Sequence, residues 1–397
     1  MEVILLLMLG IVVGVVCGLV SGLHPNTTLP IILASAAVFG EWNTAILILT
    51  IGIVNTFVAF IPSVYFCAPE ESTALSILPG HRLLLKGQGY LAVKHAVIGG
   101  LVGFLIMLAA LPLLFFIFPG IYFTARPFIH FILLLAVFFM IWREAKPFHA
   151  LAIFLVSGIV GYFTLGFDDS LILALLSGFF AFPTIFVSLR NSERIVSQET
   201  DEHRMTDKKK TIKSSIIGNI AGMIAGLLPG FGITQSIVLT QSIFRKIDPA
   251  EGDEKDFLVS LGAANVSDIF YSIIAILLIS NPRSGIAIAI QKLITINAAT
   301  LQSILIISFF LCILSAALTL LLAKSLAKIL EKINYKAISV SVLLLLAGII
   351  LYFNGVVGIF VASLCALIGI FAIKFNVNRT NCLGCLILPT ILWFALH

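Results

Sequence analysis

Charge is what this chain has least of. Only 11% of its 397 residues are Asp, Glu, Lys or Arg, while 60% are hydrophobic. Soluble globular domains carry roughly a quarter charged residues, so that class is excluded and a multi-span membrane protein is expected. Its apolar runs of about 20 residues argue for helices, because barrel strands would alternate over about ten. The net charge of +5 does not point to nucleic acid, and none is expected as a partner: the basic residues sit in short connections between spans, as the positive-inside rule requires. Met1-Glu2 has no basic run before the first apolar stretch, so no cleaved secretory signal is expected. The pair Cys382 and Cys385 has no second CxxC and no nearby His, which disfavours a metal or redox site. HExxH is missing. Gly166-Phe-Asp168-Asp169 lacks the second glycine of the intramembrane aspartyl protease motif and has no partner acid. An enzyme is therefore not expected, and the lack of a ring-forming filter motif disfavours a channel.

Glycine, by contrast, is placed with a period. In Gly218 to Ile233, GNIAGMIAGLLPGFGI, glycines fall at 218, 222, 226 and 230, one per helical turn, before a break at Pro229-Gly230-Phe231-Gly232. Residues 10 to 25 carry the same pattern 208 positions earlier, at Gly10, Gly14, Gly18 and Gly22, with the break at Gly22-Leu23-His24-Pro25. Gly52-Ile-Val-Asn55 returns as Gly262-Ala-Ala-Asn265, 210 positions on. The chain is two copies of one unit. Glycines four apart let another backbone approach closely, a principal means of packing helices in a bilayer. Backbone freed by a break at membrane depth is tolerated only when buried in protein or lining a cavity. Paired interruptions in matching places of two halves mark the binding site of a transporter.

Three segments follow from this. Residues 1–188 form a first repeat, 189–213 a solvated cytoplasmic linker and 214–397 a second repeat. In the first, residues 3 to 22 and the short run 27 to 40 pair as a hairpin dipping into the membrane. Crossings are then expected at 43 to 66, 90 to 117, 126 to 142, 148 to 165 and 170 to 188. The second repeat has a hairpin at 214 to 244 and crossings at 256 to 279, 294 to 323, 337 to 353, 355 to 374 and 383 to 396. Five crossings per copy is odd, so the second copy is inverted. The expected fold is an all-α integral membrane bundle, an inverted-repeat transporter-like arrangement of about ten crossings plus two re-entrant helical hairpins, in the cell membrane and bathed in lipid.

Ionisable residues at membrane depth are costly and mark function. Asp268 lies half-way along its expected crossing, on one helix face with Asn265 and Ser272. Such a face suits coordination of Na+ or protonation of the carboxyl; a structural salt bridge or a frayed helix start is the alternative. The first half has Asn55 and Thr56 at the equivalent place without an acid, so a coupling ion is expected on the second-half side, at Asn265 and Asp268. No other cofactor or metal is expected. Proline-marked breaks follow both long helices, at Pro69-Glu70-Glu71-Ser72-Thr73 and at Asn281-Pro282-Arg283-Ser284. Each restarts as a helix, and a helix start offers free N–H groups and partial positive charge to an anion. The hairpin tips do the same, with Asn26, Thr27 and Thr28 in one and Thr234, Gln235 and Ser236 in the other as caps. The expected substrate site is thus His24, Asn26, Thr27, Asn55, Ser72, Thr73, Gly230, Gly232, Thr234, Asn265, Arg283 and Ser284. Arg283 would be the fixed positive partner of an anion, or else would lie in the outer headgroup region. Glu70 and Glu71 would cap a helix start electrostatically.

These residues resemble the large membrane subunit of the tripartite tricarboxylate transporter family. The likeness rests on the glycine-stepped helix ending in PGFG at 229 to 232, on Ser72 to Gly103 with Lys86-Gly87-Gln88, on Ala263-Ala264-Asn265, and on Asn281-Pro282-Arg283-Ser284. The resemblance implies a multi-pass permease for carboxylates, driven by an ion gradient and working with a small membrane subunit and an extracytoplasmic binding protein. Ser21-Gly22-Leu23-His24, Pro69-Glu70, Pro282-Arg283 and Asp268 depart from the family pattern. A flippase for a lipid-linked phosphate head group is the alternative that the same hairpin tips would serve.

Overall fold

The computed structural model describes residues 2–20, 25–68, 70, 72–142, 144–190, 197–200, 207–227, 232–244, 253–280, 282–330 and 335–396. Every regular element among them is helical. The first half opens with α1 (Glu2–Leu19), α2 (Pro25–Ala34) and α3 (Ala36–Phe39). The long rod of α4 (Glu41–Val58) and α5 (Phe60–Phe66) follows, then a 3-10 turn (Ala74–Ser76), α6 (Ile77–Leu85) and α7 (Gly89–Ala125). It closes with α8 (Ile129–Trp142), α9 (Pro147–Phe167), α10 (Ile172–Leu176), a π-helical turn and α11 (Phe182–Arg190). The second half runs α12 (Lys208–Leu227), α13 (Ile233–Phe244), α14 (Glu254–Ile279), α15 (Gly285–Leu293), α16 (Ala298–Leu330), α17 (Tyr335–Lys374) and α18 (Gly384–Leu396).

The glycine stripes are where the opening helices meet the long ones. Gly10 faces Thr50, Gly14 faces Val54 and Gly18 faces Val58, so α1 and α4 run in the same direction. The short α2–α3 segment therefore carries the chain back between them. In the second half Gly218 faces Ser260, Gly222 faces Ala264 and Gly226 faces Asp268, so α12 and α14 also run together and α13 is the return. Both hairpins turn half-way along their long neighbours. Asn55, whose carbonyl packs against Gly18, is 14 residues past Glu41 (55 − 41) in a 26-residue rod. Asp268 is likewise 14 residues past Glu254 (268 − 254) in a 26-residue helix. At 1.5 Å per residue, α1 and α12 each end about 21 Å along the neighbouring rod.

Directions of the long helices follow from further close approaches. Along α7, Gly89 lies against Tyr65 and Gly100 against Phe57, so α7 runs antiparallel to α4–α5. Gly99 meets the Val259 backbone and Gly103 that of Ala263, so α7 and α14 are parallel. Hence α4 and α14, which occupy matching places in the two halves, run in opposite directions. The rods also end alike. Cys67 and Ser280 are non-glycine residues with left-handed φ of 53° and 51°, a conformation that persists only where the surrounding structure imposes it.

Seven helices among the described residues are long and apolar enough to cross a membrane by length and composition. Where ten crossings were expected, 130–142 and 172–187 are shorter apolar helices, and 340–374 is one continuous helical stretch. That stretch nevertheless folds back. At Gly355 φ is +62°, and a Cβ on Gly358 would touch the Ile350 side chain, which a straight helix would hold about 12 Å away. Large apolar side chains point outward, among them Phe116 at 89% exposure and Phe148 at 85%, while Thr50, Ser63 and Asn55 are buried. Apolar outside and polar inside is the arrangement of a multi-pass membrane protein.

The linker differs from expectation. Its last residues are helical, because Asp207 caps α12 by accepting from the Lys209 N–H through Oδ1 at 3.0 Å, so the helix begins at Lys208. Residues 197–200 are not solvated along their length. Gln198 is 4% exposed, accepting from the Gly89 N–H at 2.9 Å and donating to the Leu84 carbonyl at 3.1 Å. The Glu199 N–H donates to the Gly87 carbonyl at 2.7 Å. These backbone groups lie at the end of α6, in the turn and at the start of α7, where helix termini leave bonding capacity open, and the linker bonds to them.

Candidate functional site

Helix beginnings from both halves meet at one cavity of about 490 Å³. Its wall includes Pro25, the first residue of α2, and Gly232 with Ile233, where α13 begins. It also includes Ser72, two residues before the turn that leads into α6, and Ser284 with Gly285, where α15 begins. The rods α4 and α14 contribute Asn55, Thr56, Asn265 and Asp268.

Each of these is held by short-range chemistry. Ser284 caps α15, its Oγ accepting from the Ala287 N–H at 3.1 Å. The Ser284 and Arg283 N–H groups both donate to Ser272 Oγ, at 2.6 and 3.0 Å. Ser272 thus acts one step behind the cavity, fixing the break onto α14. Asn265 Nδ2 donates to the Ser72 carbonyl at 3.0 Å and to Leu261 within its own helix at 2.9 Å, tying the second-half rod to the first-half break. Arg283 lies in the cavity wall, half-buried, with Nη2 donating to Tyr122 Oη at 3.3 Å. Its place is therefore inside the protein and not at an outer rim. Asp268 is half-buried on the same cavity.

Of the expected site residues, Asn55, Ser72, Gly232, Asn265, Arg283, Ser284 and Asp268 come together on this wall. Thr73 and Thr234 stand behind it, each 1% exposed; Thr73 Oγ1 accepts from the Glu70 N–H. His24 and Gly230 lie outside the described residues, as do the side chains of Asn26 and Thr27, and Glu71. The Glu70 carboxyl is 7% exposed and so does not sit at an open helix start. Sequence reasoning omitted Gly52 and Ile286 from the site and read Gln235, also on the wall, only as a cap at the hairpin tip. Gly52 was visible as a repeat anchor: a Cβ there would collide with the Ile286 side chain. Nothing in the sequence marks Ile286, which reaches the cavity through tertiary packing alone.

Residues 4–384 match the family model described as the tripartite tricarboxylate transporter TctA family. The chain is 32% identical over 405 aligned positions to a protein of Methanocaldococcus jannaschii named "Uncharacterized protein MJ1079", covering 98% of both. No solved structure matches.

Proposed function

This chain belongs to the tripartite tricarboxylate transporter TctA family, and from that premise we propose that it is a secondary-transporter-type permease. It moves a small organic anion of the carboxylate class across the cell membrane, coupled to Na+ or H+. One observation carries the reading: helix starts from both halves converge with Arg283 on one cavity at half the depth of the long helices. Helix starts and a guanidinium favour carboxylate oxygens, and about 490 Å³ falls within the range of small-molecule sites.

The two halves act as an inverted pair, an arrangement supported by the opposite directions of α4 and α14 and by the matched hairpins. Rocking of one half against the other around a fixed central site then gives alternating access. Asn265 and Asp268, on the wall beside the substrate, take part in ion coupling. The family also implies a small membrane subunit and an extracytoplasmic binding protein as partners. The lipid head-group alternative gains no support from the family match.

Uptake by the purified chain in liposomes tests this, with di- and tricarboxylates presented under imposed Na+ and proton gradients. Gradient-driven accumulation of at least one carboxylate is expected. No carboxylate uptake or exchange under either gradient, with or without the partner subunits, would overturn the reading.

A further inference from the structure

Behind the Asn55 wall of the cavity lies a buried carboxylate that the substrate site does not use. Glu70 is 7% exposed and Asn55 5%. Both oxygens of Glu70 and Oδ1 of Asn55 are buried without a hydrogen-bond partner. The two side chains are within electrostatic reach of one another, and Cys17 in the last full turn of α1 is within reach of the carboxylate as well. Among the described residues no lysine or arginine pairs with Glu70.

We infer that Glu70 and Asn55 form a Na+ site, placed in the first half directly behind the substrate cavity. An ionised carboxylate taken out of water with no counter-charge costs several kcal/mol, so something positive must accompany it. Three buried acceptor oxygens outnumber the one amide donor beside them, that of Asn55, and call for a cation that binds several at once, whereas a proton would satisfy one lone pair. Carboxylate and amide oxygens are the ligands hard cations prefer. The C-terminal end of α1 adds partial negative charge on the same side. Asn55 touches both spaces, since it lines the cavity and faces Glu70, so occupancy of the cation site is felt by the substrate.

The proposal rests on the carrier reading but is tested without substrate, so each can fail alone. The full chain is purified in lipid nanodiscs, and binding of radioactive sodium is measured alongside the thermal shift given by Na+ against K+ at constant ionic strength. Saturable Na+ binding is expected, lost in Glu70→Gln and weakened in Asn55→Ala. Should Glu70→Gln not fold, Glu70→Asp, which keeps the charge on a shorter arm, is expected to move the Na+ midpoint to higher concentration. Retention of wild-type Na+ binding in Glu70→Gln or, if only that variant folds, in Glu70→Asp would overturn the site. Stabilisation by acid pH with no Na+ response would overturn it in favour of a proton.

Discussion

In the first half the long rod ends on left-handed Cys67 and the break beyond it carries Glu70. In the second half the rod ends on left-handed Ser280 and the break carries Arg283. The backbone device is the same and the charge is opposite. The rods differ as well: Val58 occupies the first-half position that Asp268 fills in the second, 210 residues later. Packing differs in the same sense. A Cβ on Gly10 would meet the Thr50 side chain, whereas one on Gly218 would meet the Ser260 carbonyl, so α12 and α14 approach more closely than α1 and α4. The two halves share interrupted helices, and one break holds a buried carboxyl where the other holds a guanidinium facing the cavity.

The largest expected effect would break this comparison outright. Asp268→Asn abolishes ion-driven uptake in liposomes while leaving the fold intact; unchanged driven transport would remove the second-half acid from the mechanism. Next is packing. Gly218→Ala is expected to cost about 3 kcal/mol, the upper end for overpacking, because backbone cannot step aside. Gly10→Ala should cost about 1 kcal/mol, because a Cβ there would stand 2.9 Å from the Thr50 Cβ, farther than one on Gly218 from the Ser260 carbonyl, so the helices need separate less. Equal losses in thermal stability for the two would show that the halves pack alike. Arg283→Ala should weaken carboxylate binding by about 2 kcal/mol, the scale of a hydrogen bond to a charged group, read by ligand-induced thermal shift. Arg283→Lys should restore only part of it, because a point charge lacks the planar fork. The smallest concerns a contact that only the first half has: Gln198→Ala should lower stability by about 1 kcal/mol, with no change in substrate affinity.

Much of the site was legible because duplication writes the same exception twice. A glycine every fourth residue followed by a break, found at both 10–25 and 218–233, marked the ends of α1 and α12. The prolines at 69 and 282 located the two further helix starts. The turn of α17 was legible too: 337–353 and 355–374 were separable at Asn354-Gly355, where the helix folds back. Less visible was the docking of Gln198. Its bonds run to backbone groups more than a hundred residues away, and a polar segment reads as solvated until its partners are known. Glu70 was read as a surface-like cap for the same reason.

Composition alone determined that this chain is a helical membrane protein, since scarcity of charge is a property of the string, and the glycine spacing shared by 10–25 and 218–233 can be read there too. Which polar residues face a common space was decided only by tertiary structure. Asn55, Ser72, Asn265 and Arg283 are brought together by the opposed directions of α4 and α14 and by helices close enough for backbones to touch. Burial is a property of neighbours, so only the folded chain could separate Thr73, turned inward, from Ser72 on the wall, or reveal Glu70 as an enclosed carboxylate.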